Sequence, residues 1–185
     1  MHDKDDFMKF KKQSSGVYVA TGLFTVVSSD DLDMLRSQIP GSPRNRTRIC
    51  AHRRPGDRVQ EMMIVLPRDG YVRPHKHTDK TESMTVLSGS ADVVLFDNSG
   101  KVTDVFRVGP AGGKGVFYYR MDKPIYHTLF VRSPFFAFHE AASGPFRRSG
   151  SVPAKWAPPE EDIKEGQKFL NKAISEFKRG SRRRR

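Results

Sequence analysis

The chain of 185 residues has a single cysteine, Cys50. One thiol excludes an internal disulfide framework and any zinc site built from several thiolates. Cys50 sits in Thr47-Arg48-Ile49-Cys50-Ala51, which reads as a strand, so it is expected to be a small buried hydrophobe rather than a nucleophile. Long apolar runs are also missing, and no stretch approaches the roughly 18–20 residues that a membrane-spanning helix needs. The first residues, Met1-His2-Asp3-Lys4-Asp5-Asp6, are acidic where a secretory leader is basic and then apolar, so a cytoplasmic location is expected. Helix-turn-helix, ribonucleoprotein and zinc-finger patterns are absent, although the net charge is +12. Half of that charge comes from Lys178, Arg179 and Arg182 to Arg185. Such a block can bind phosphates nonspecifically, and it is the one feature that would bring nucleic acid to this chain.

Thirteen phenylalanines and five tyrosines supply apolar bodies for one core, and the length suits one compact domain with ragged ends. Residues 1–16 are charged and irregular and are expected to be a disordered extension. Val17 to Val27 reads as a strand. Ser28 or Ser29 then caps a short helix that carries Asp30 and Asp31 in its first turn. From Arg46 to about Glu140, short β-branched and aromatic runs alternate with turn signals such as Arg68-Asp69-Gly70 and Asp97-Asn98-Ser99-Gly100. That texture predicts an all-β sandwich or barrel. After Ala157-Pro158-Pro159, an apolar stripe of Ile163, Leu170, Ile174 and Phe177 predicts a helix from about Glu160 to Lys178. The stripe would pack on the body or on a second subunit. The expected divisions are an extension (1–16), a β domain (17–158), and a helix with a basic tail (159–185).

The chemistry concentrates in one stretch, running from Gly70 through His75-Lys76-His77 and Glu82 to Gly89. Residues two apart on a strand face the same way, so His75 and His77 aim at one point, as do Tyr71 and Arg73 if the strand begins that early. Four residues separate His77 from Glu82, enough for a turn that returns a carboxylate to the same place. Two imidazoles and a carboxylate are ligands for iron, manganese, nickel, cobalt or zinc rather than copper(I). Arg73 could grip a carboxylate or phosphate. Gln60, Tyr71, Lys80 and Glu140 are candidates for the pocket rim or for groups supporting the ligands. Alternation allows only one of His139 and Glu140 to look inward, and His139 is the rival of His127 as fourth ligand.

This pattern resembles the first cupin motif, a glycine followed by His-x-His, a glutamate and a second glycine. It is one residue short after the first glycine. His127, in Lys123-Pro124-Ile125-Tyr126-His127-Thr128, fits the histidine of the second cupin motif, which departs from the family form by lacking a glycine and an asparagine. From about Ser42 to Pro158 the chain is similar to the narrower WbuC-like cupins found with bacterial surface-polysaccharide genes. The matching pieces include Val59-Gln60-Glu61-Met62, Tyr71-Val72-Arg73-Pro74-His75-Lys76-His77, Lys80-Thr81-Glu82-Ser83 and Trp156-Ala157-Pro158. The resemblance implies a cupin jelly-roll barrel of the RmlC-like kind, a double-stranded β-helix, with a short N-terminal and a C-terminal helix. It implies one divalent transition metal on His75, His77, Glu82 and His127, with a small-molecule ligand at the open positions. The expected function is a metal-dependent enzyme on a small polar or sugar-derived substrate, linked to surface polysaccharide. Isomerase or epimerase and dioxygenase chemistry are both open. Glu140, Tyr71 and Lys80 are the candidate catalytic groups, and Arg73 and Gln60 the candidate substrate contacts. A noncatalytic sensor or carbohydrate-binding module with the same pocket is the rival reading. Cupins are often dimers, and the edge strands and C-terminal helix offer surfaces for a homodimer.

Overall fold

The structure, a computed structural model, describes residues 10–182. Its larger sheet contains β1 (Phe10–Ser14), β2 (Val17–Ala20), β3 (Thr47–Cys50), β4 (Val59–Pro67), β6 (Glu82–Ser88), β9 (Tyr118–Met121) and β11 (Phe135–Ser143). Its smaller sheet contains β5 (His75–His77), β7 (Ala91–Phe96), β8 (Val102–Val108), β10 (Tyr126–Val131) and β12 (Ser151–Pro153). The strand orders are β1-β2-β3-β4-β11-β6-β9 and β12-β5-β10-β7-β8. The architecture is thus mostly β, two sheets with two α-helices, α1 (Ser29–Ser37) and α2 (Ile163–Arg182).

Alternation along the strands builds the space between the sheets. Ile64 and Leu66 of β4, Met84 and Val86 of β6, Val93 of β7, Leu129 of β10, and Phe136 and Phe138 of β11 form one buried cluster. Each such side chain contributes roughly 1.5–3 kcal/mol on burial. Each sheet also buries its outer face under a helix. Leu35 of α1 packs on Ile49, Val65 and Ala137 of the larger sheet. Leu170 and Ile174 of α2 pack on Val94 and Phe96 of the smaller one, with Tyr71 and Trp156. The apolar stripe of α2 therefore covers the body of its own chain.

Local signals explain the element ends. Ser28 caps α1, and its side chain and that of Asp31 satisfy each other's backbone N–H in a capping box. Gly100, at φ +91°, closes the β7–β8 hairpin, with the Asp97 carboxylate accepting from the Ser99 and Lys101 N–H groups.

Three boundaries differ from the sequence reading. Phe10 to Ser14, expected in a disordered extension, form β1 and pair antiparallel with β2. The strand expected over Val17 to Val27 stops at Ala20, because β3 offers partners only from Arg48 to Cys50; propensity without a neighbouring strand does not extend a sheet. The C-terminal helix begins at Ile163 and continues through Arg179 to Arg182, so part of the basic block is helical. Residues 1–9 of the extension and Arg183 to Arg185 of the tail lie outside the described residues. No described helix is long and apolar enough to cross a membrane.

Candidate metal centre

Strand β5 is only three residues long but is paired on both sides. His75 faces His127 across the β10 pairing, and Pro153 and Ser151 of β12 face His75 and His77 from the other edge. Side chains two apart share a face, so His75 and His77 point into the sandwich, where His127 joins them. The ring centroids are 4.8 Å (His75–His77), 4.7 Å (His75–His127) and 5.4 Å (His77–His127) apart. One ligating nitrogen from each lies within 4.8 Å of the others, a grouping that could hold a metal ion.

The backbone sets the tautomers. His75 Nδ1 lies 2.9 Å from the Arg73 carbonyl, and His127 Nδ1 lies 2.9 Å from the Ile125 carbonyl. A carbonyl only accepts, so each Nδ1 must carry the proton and donate it. Each Nε2 is left with a lone pair for the interior, as in metal-ligating histidines oriented by a carbonyl. His77 is buried, and neither of its ring nitrogens has a hydrogen-bond partner. Its Nε2 comes within 3.0 Å of Glu82 Oε2, but not in hydrogen-bonding alignment. Burying an imidazole whose nitrogens make no aligned hydrogen bond is unfavourable, and a cation bound to one of them would reduce that cost. The donor set therefore fits a divalent transition metal.

Glu82 opens β6 in the opposite sheet and faces the histidines across the gap. Its Oε1 is 3.7 Å from His127 Nε2, and its Oε2 is 3.0 Å from Lys80 Nζ. Burial alone would push this carboxyl up, but the contacts with His127 and His77 and the Lys80 charge outweigh it. They hold the group well below the usual carboxylate range. His75 moves down to about 3, because burial and the neighbouring His127 and His77 disfavour its charged form. Burial likewise lowers His77. Neutral His75 and His77 rings beside an ionised Glu82 carboxylate have the protonation that metal ligation requires.

Glu140 is the other acid of the pocket. It sits opposite Met84 on β6, so it shares the inward face, and its Oε1 lies 3.9 Å from Lys80 Nζ. Burial and then the Glu82 charge push its carboxyl up to about 7. His139 looks the other way, with Nε2 3.4 Å from Glu61 Oε1, and does not join the cluster.

The remaining sequence candidates are placed elsewhere. Tyr71 lies under α2 on the outer face of the smaller sheet, its hydroxyl donating to the Pro158 carbonyl at 3.0 Å. Arg73 donates from Nε and Nη2 to the Ala154 carbonyl at 3.0 and 2.7 Å, pinning the segment after β12. The Gln60 amide donates to the carbonyls of Arg54, Pro55 and Asp57 and so shapes the loop before β4. None of these three side chains hydrogen-bonds to the histidines, although the Arg73 backbone carbonyl accepts from His75 Nδ1. Cys50 is buried, and desolvation pushes its thiol up, as suits an inert side chain.

One pocket residue carries no sequence signal of its own. Tyr119 of β9 pairs with Met84, faces inward, and feels the charges of Glu82 and Glu140. Burial pushes its hydroxyl well above the ordinary phenol value, so it stays protonated and can donate.

A family model described as "Domain of unknown function (DUF6016)" matches residues 27–108. No curated protein matches the sequence. Among solved structures the chain is similar to procruciferin, an 11S globulin of Brassica napus, at 14% identity and a TM-score of 0.40; the match covers 48% of this chain and 21% of that one. It is similar to an oxalate decarboxylase variant of Bacillus subtilis at 16% identity and a TM-score of 0.42, over 52% and 24% of the two chains. A protein of Shewanella oneidensis is similar at 11% identity and a TM-score of 0.48, over 57% and 72%. The chain spans about a quarter or less of the length of the first two.

Proposed function

We propose that this chain is a cupin-type metalloenzyme in which His75, His77, His127 and Glu82 hold one divalent transition metal. The supporting observation is the convergence of three imidazoles, two of them fixed by backbone carbonyls so that Nε2 is free. Closure of the two sheets into a jelly-roll barrel, and the WbuC-like relationship, belong to the same proposal.

An ion held by these four groups supplies Lewis-acid polarisation of a substrate oxygen, or redox chemistry if it is iron or manganese. The acid–base equipment comes from the protein. A carboxyl with a value near 7 can both take and return a proton at neutral pH, so Glu140 suits a base that abstracts a proton next to a substrate carbonyl. The C–H bond beside the carbonyl breaks, the O–H bond of Glu140 forms, and the electron pair passes to the carbonyl oxygen; transfer of the α-hydroxyl proton to that oxygen and return of the Glu140 proton to the former carbonyl carbon complete an isomerisation. Lys80, 3.9 Å from Glu140 and 3.0 Å from Glu82, limits the repulsion between the two carboxylates. Neither Lys80 nor Glu140 is needed to hold a metal. Their presence favours an isomerase or epimerase over a module that only binds.

Cobalt(II) titration tests this reading. Weak visible absorption, the mark of five or six ligands, would mean positions left open for substrate. Intense tetrahedral absorption that does not change when small anions are added would mean a site closed by protein and would refute the enzymatic assignment.

A further inference from the structure

A cavity of about 240 Å³ opens between β7, β8 and β9. Its walls are Val93, Leu95, Phe106, Tyr119, Met121 and Ile125, with Arg120, Asp122 and Lys123 also lining it. Cross-strand pairs join this space to the candidate metal centre. Leu95 is the partner of His127 between β7 and β10, and Met121 is the partner of Glu82 between β6 and β9. Tyr119 belongs to both, since it lines the cavity, stacks edge-on against Phe106 at 6.0 Å, and feels the charges of Glu82 and Glu140. The cavity thus adjoins the site through these pairs.

We infer that this site selects a small substrate with a hydrocarbon body and an oxygen-donor head such as a carboxylate, rather than a sugar. The inference rests on the metal reading above and names the substrate class of that same site. Among the lining residues, Tyr119 is the polar one that strand register turns inward; Arg120, Asp122 and Lys123 are exposed. A sugar has a hydroxyl on nearly every carbon, and each one buried here beyond the one that Tyr119 can meet would lose water without gaining a partner. Hydrocarbon suffers no such penalty. An apolar cavity of about 150 Å³ already accepts benzene, so this volume has room for one six-membered ring and a short polar head. The three imidazoles and a carboxylate are borderline-to-hard ligands whose metals favour an oxygen donor as the next one.

The test compares benzoate with gluconate, equal in charge, by calorimetric titration of cobalt-loaded protein. Toluene, which needs no metal, is titrated into both metal-free and loaded protein. Benzoate is expected to bind at least tenfold more tightly than gluconate. Leu95→Gln should weaken benzoate and toluene at least tenfold without changing the cobalt stoichiometry. Ile125→Gln, on a side chain that is 38% exposed, should do so severalfold with little risk to folding. Gluconate binding as tightly as benzoate, or benzoate indifferent to both substitutions, would overturn the inference. Failure of toluene to bind overturns the apolar cavity whatever the metal does. Failure to take up cobalt while toluene still binds instead overturns the metal reading and the oxygen-donor head with it.

Discussion

Replacing Glu140 by glutamine in the metal-free protein should raise stability above pH 7 and leave it nearly unchanged below pH 4.5. The carboxyl is 16% exposed and is pushed from the ordinary 4.5 up to about 7, first by burial and then by the Glu82 charge. Between those values the folded chain keeps a proton that the unfolded chain has released. The contribution of Glu140 is therefore fully present below 4.5 and is lost as pH rises through about 7. At about 1.4 kcal/mol per tenfold change, the whole span corresponds to about 3 kcal/mol, an upper figure because water and Lys80 screen the charge. Glutamine cannot ionise and escapes this loss. Urea unfolding of wild type and Glu140→Gln in chelator, at several pH values from 4 to 8, reads the difference directly. The gap between the two curves should open with rising pH and be half developed near pH 6. A gap that stays constant over that range would refute the assignment of Glu140 as the perturbed group, and with it the acid–base role.

Other substitutions separate scaffold from site. Tyr71→Phe should cost roughly 1 kcal/mol through loss of the hydrogen bond to Pro158 and leave metal affinity unchanged, as thermal unfolding and metal titration would show. In Gly166→Ala the new Cβ would meet the Tyr71 ring at 2.4 Å, lifting α2 off the smaller sheet. Urea unfolding should show a loss of roughly 1–3 kcal/mol. Gly180→Ala, later in the same helix and with nothing within 4 Å, should instead gain up to about 1 kcal/mol.

What could be read from the sequence depended on how local each relation is. His75 and His77 need only strand alternation across one intervening residue, and Ser28 caps a helix three residues away, so both were legible. The choice of Glu140 over His139 as the inward side chain was not, because alternation says that one of them faces in but not which. Alternation also misled upstream of β5. The strand begins at His75, after Pro74, so Tyr71 and Arg73 do not share its parity; one lies beneath α2 and the other on the Ala154 carbonyl. Gln60 turns its amide to its own loop, where it donates to the backbone carbonyls of residues 54, 55 and 57. Tyr119 and the cavity walls were illegible for a different reason. The pairing of β6 with β9 joins segments more than thirty residues apart, and no periodicity in either segment encodes that register.

The most direct test is elemental analysis of the purified, reconstituted protein beside a His75→Ala/His77→Ala double variant prepared in the same way. About one equivalent of a divalent transition metal in the wild type, lost in a double variant with unchanged circular dichroism, is the predicted result. A folded wild type that holds no metal, or a double variant that holds as much, would contradict the account.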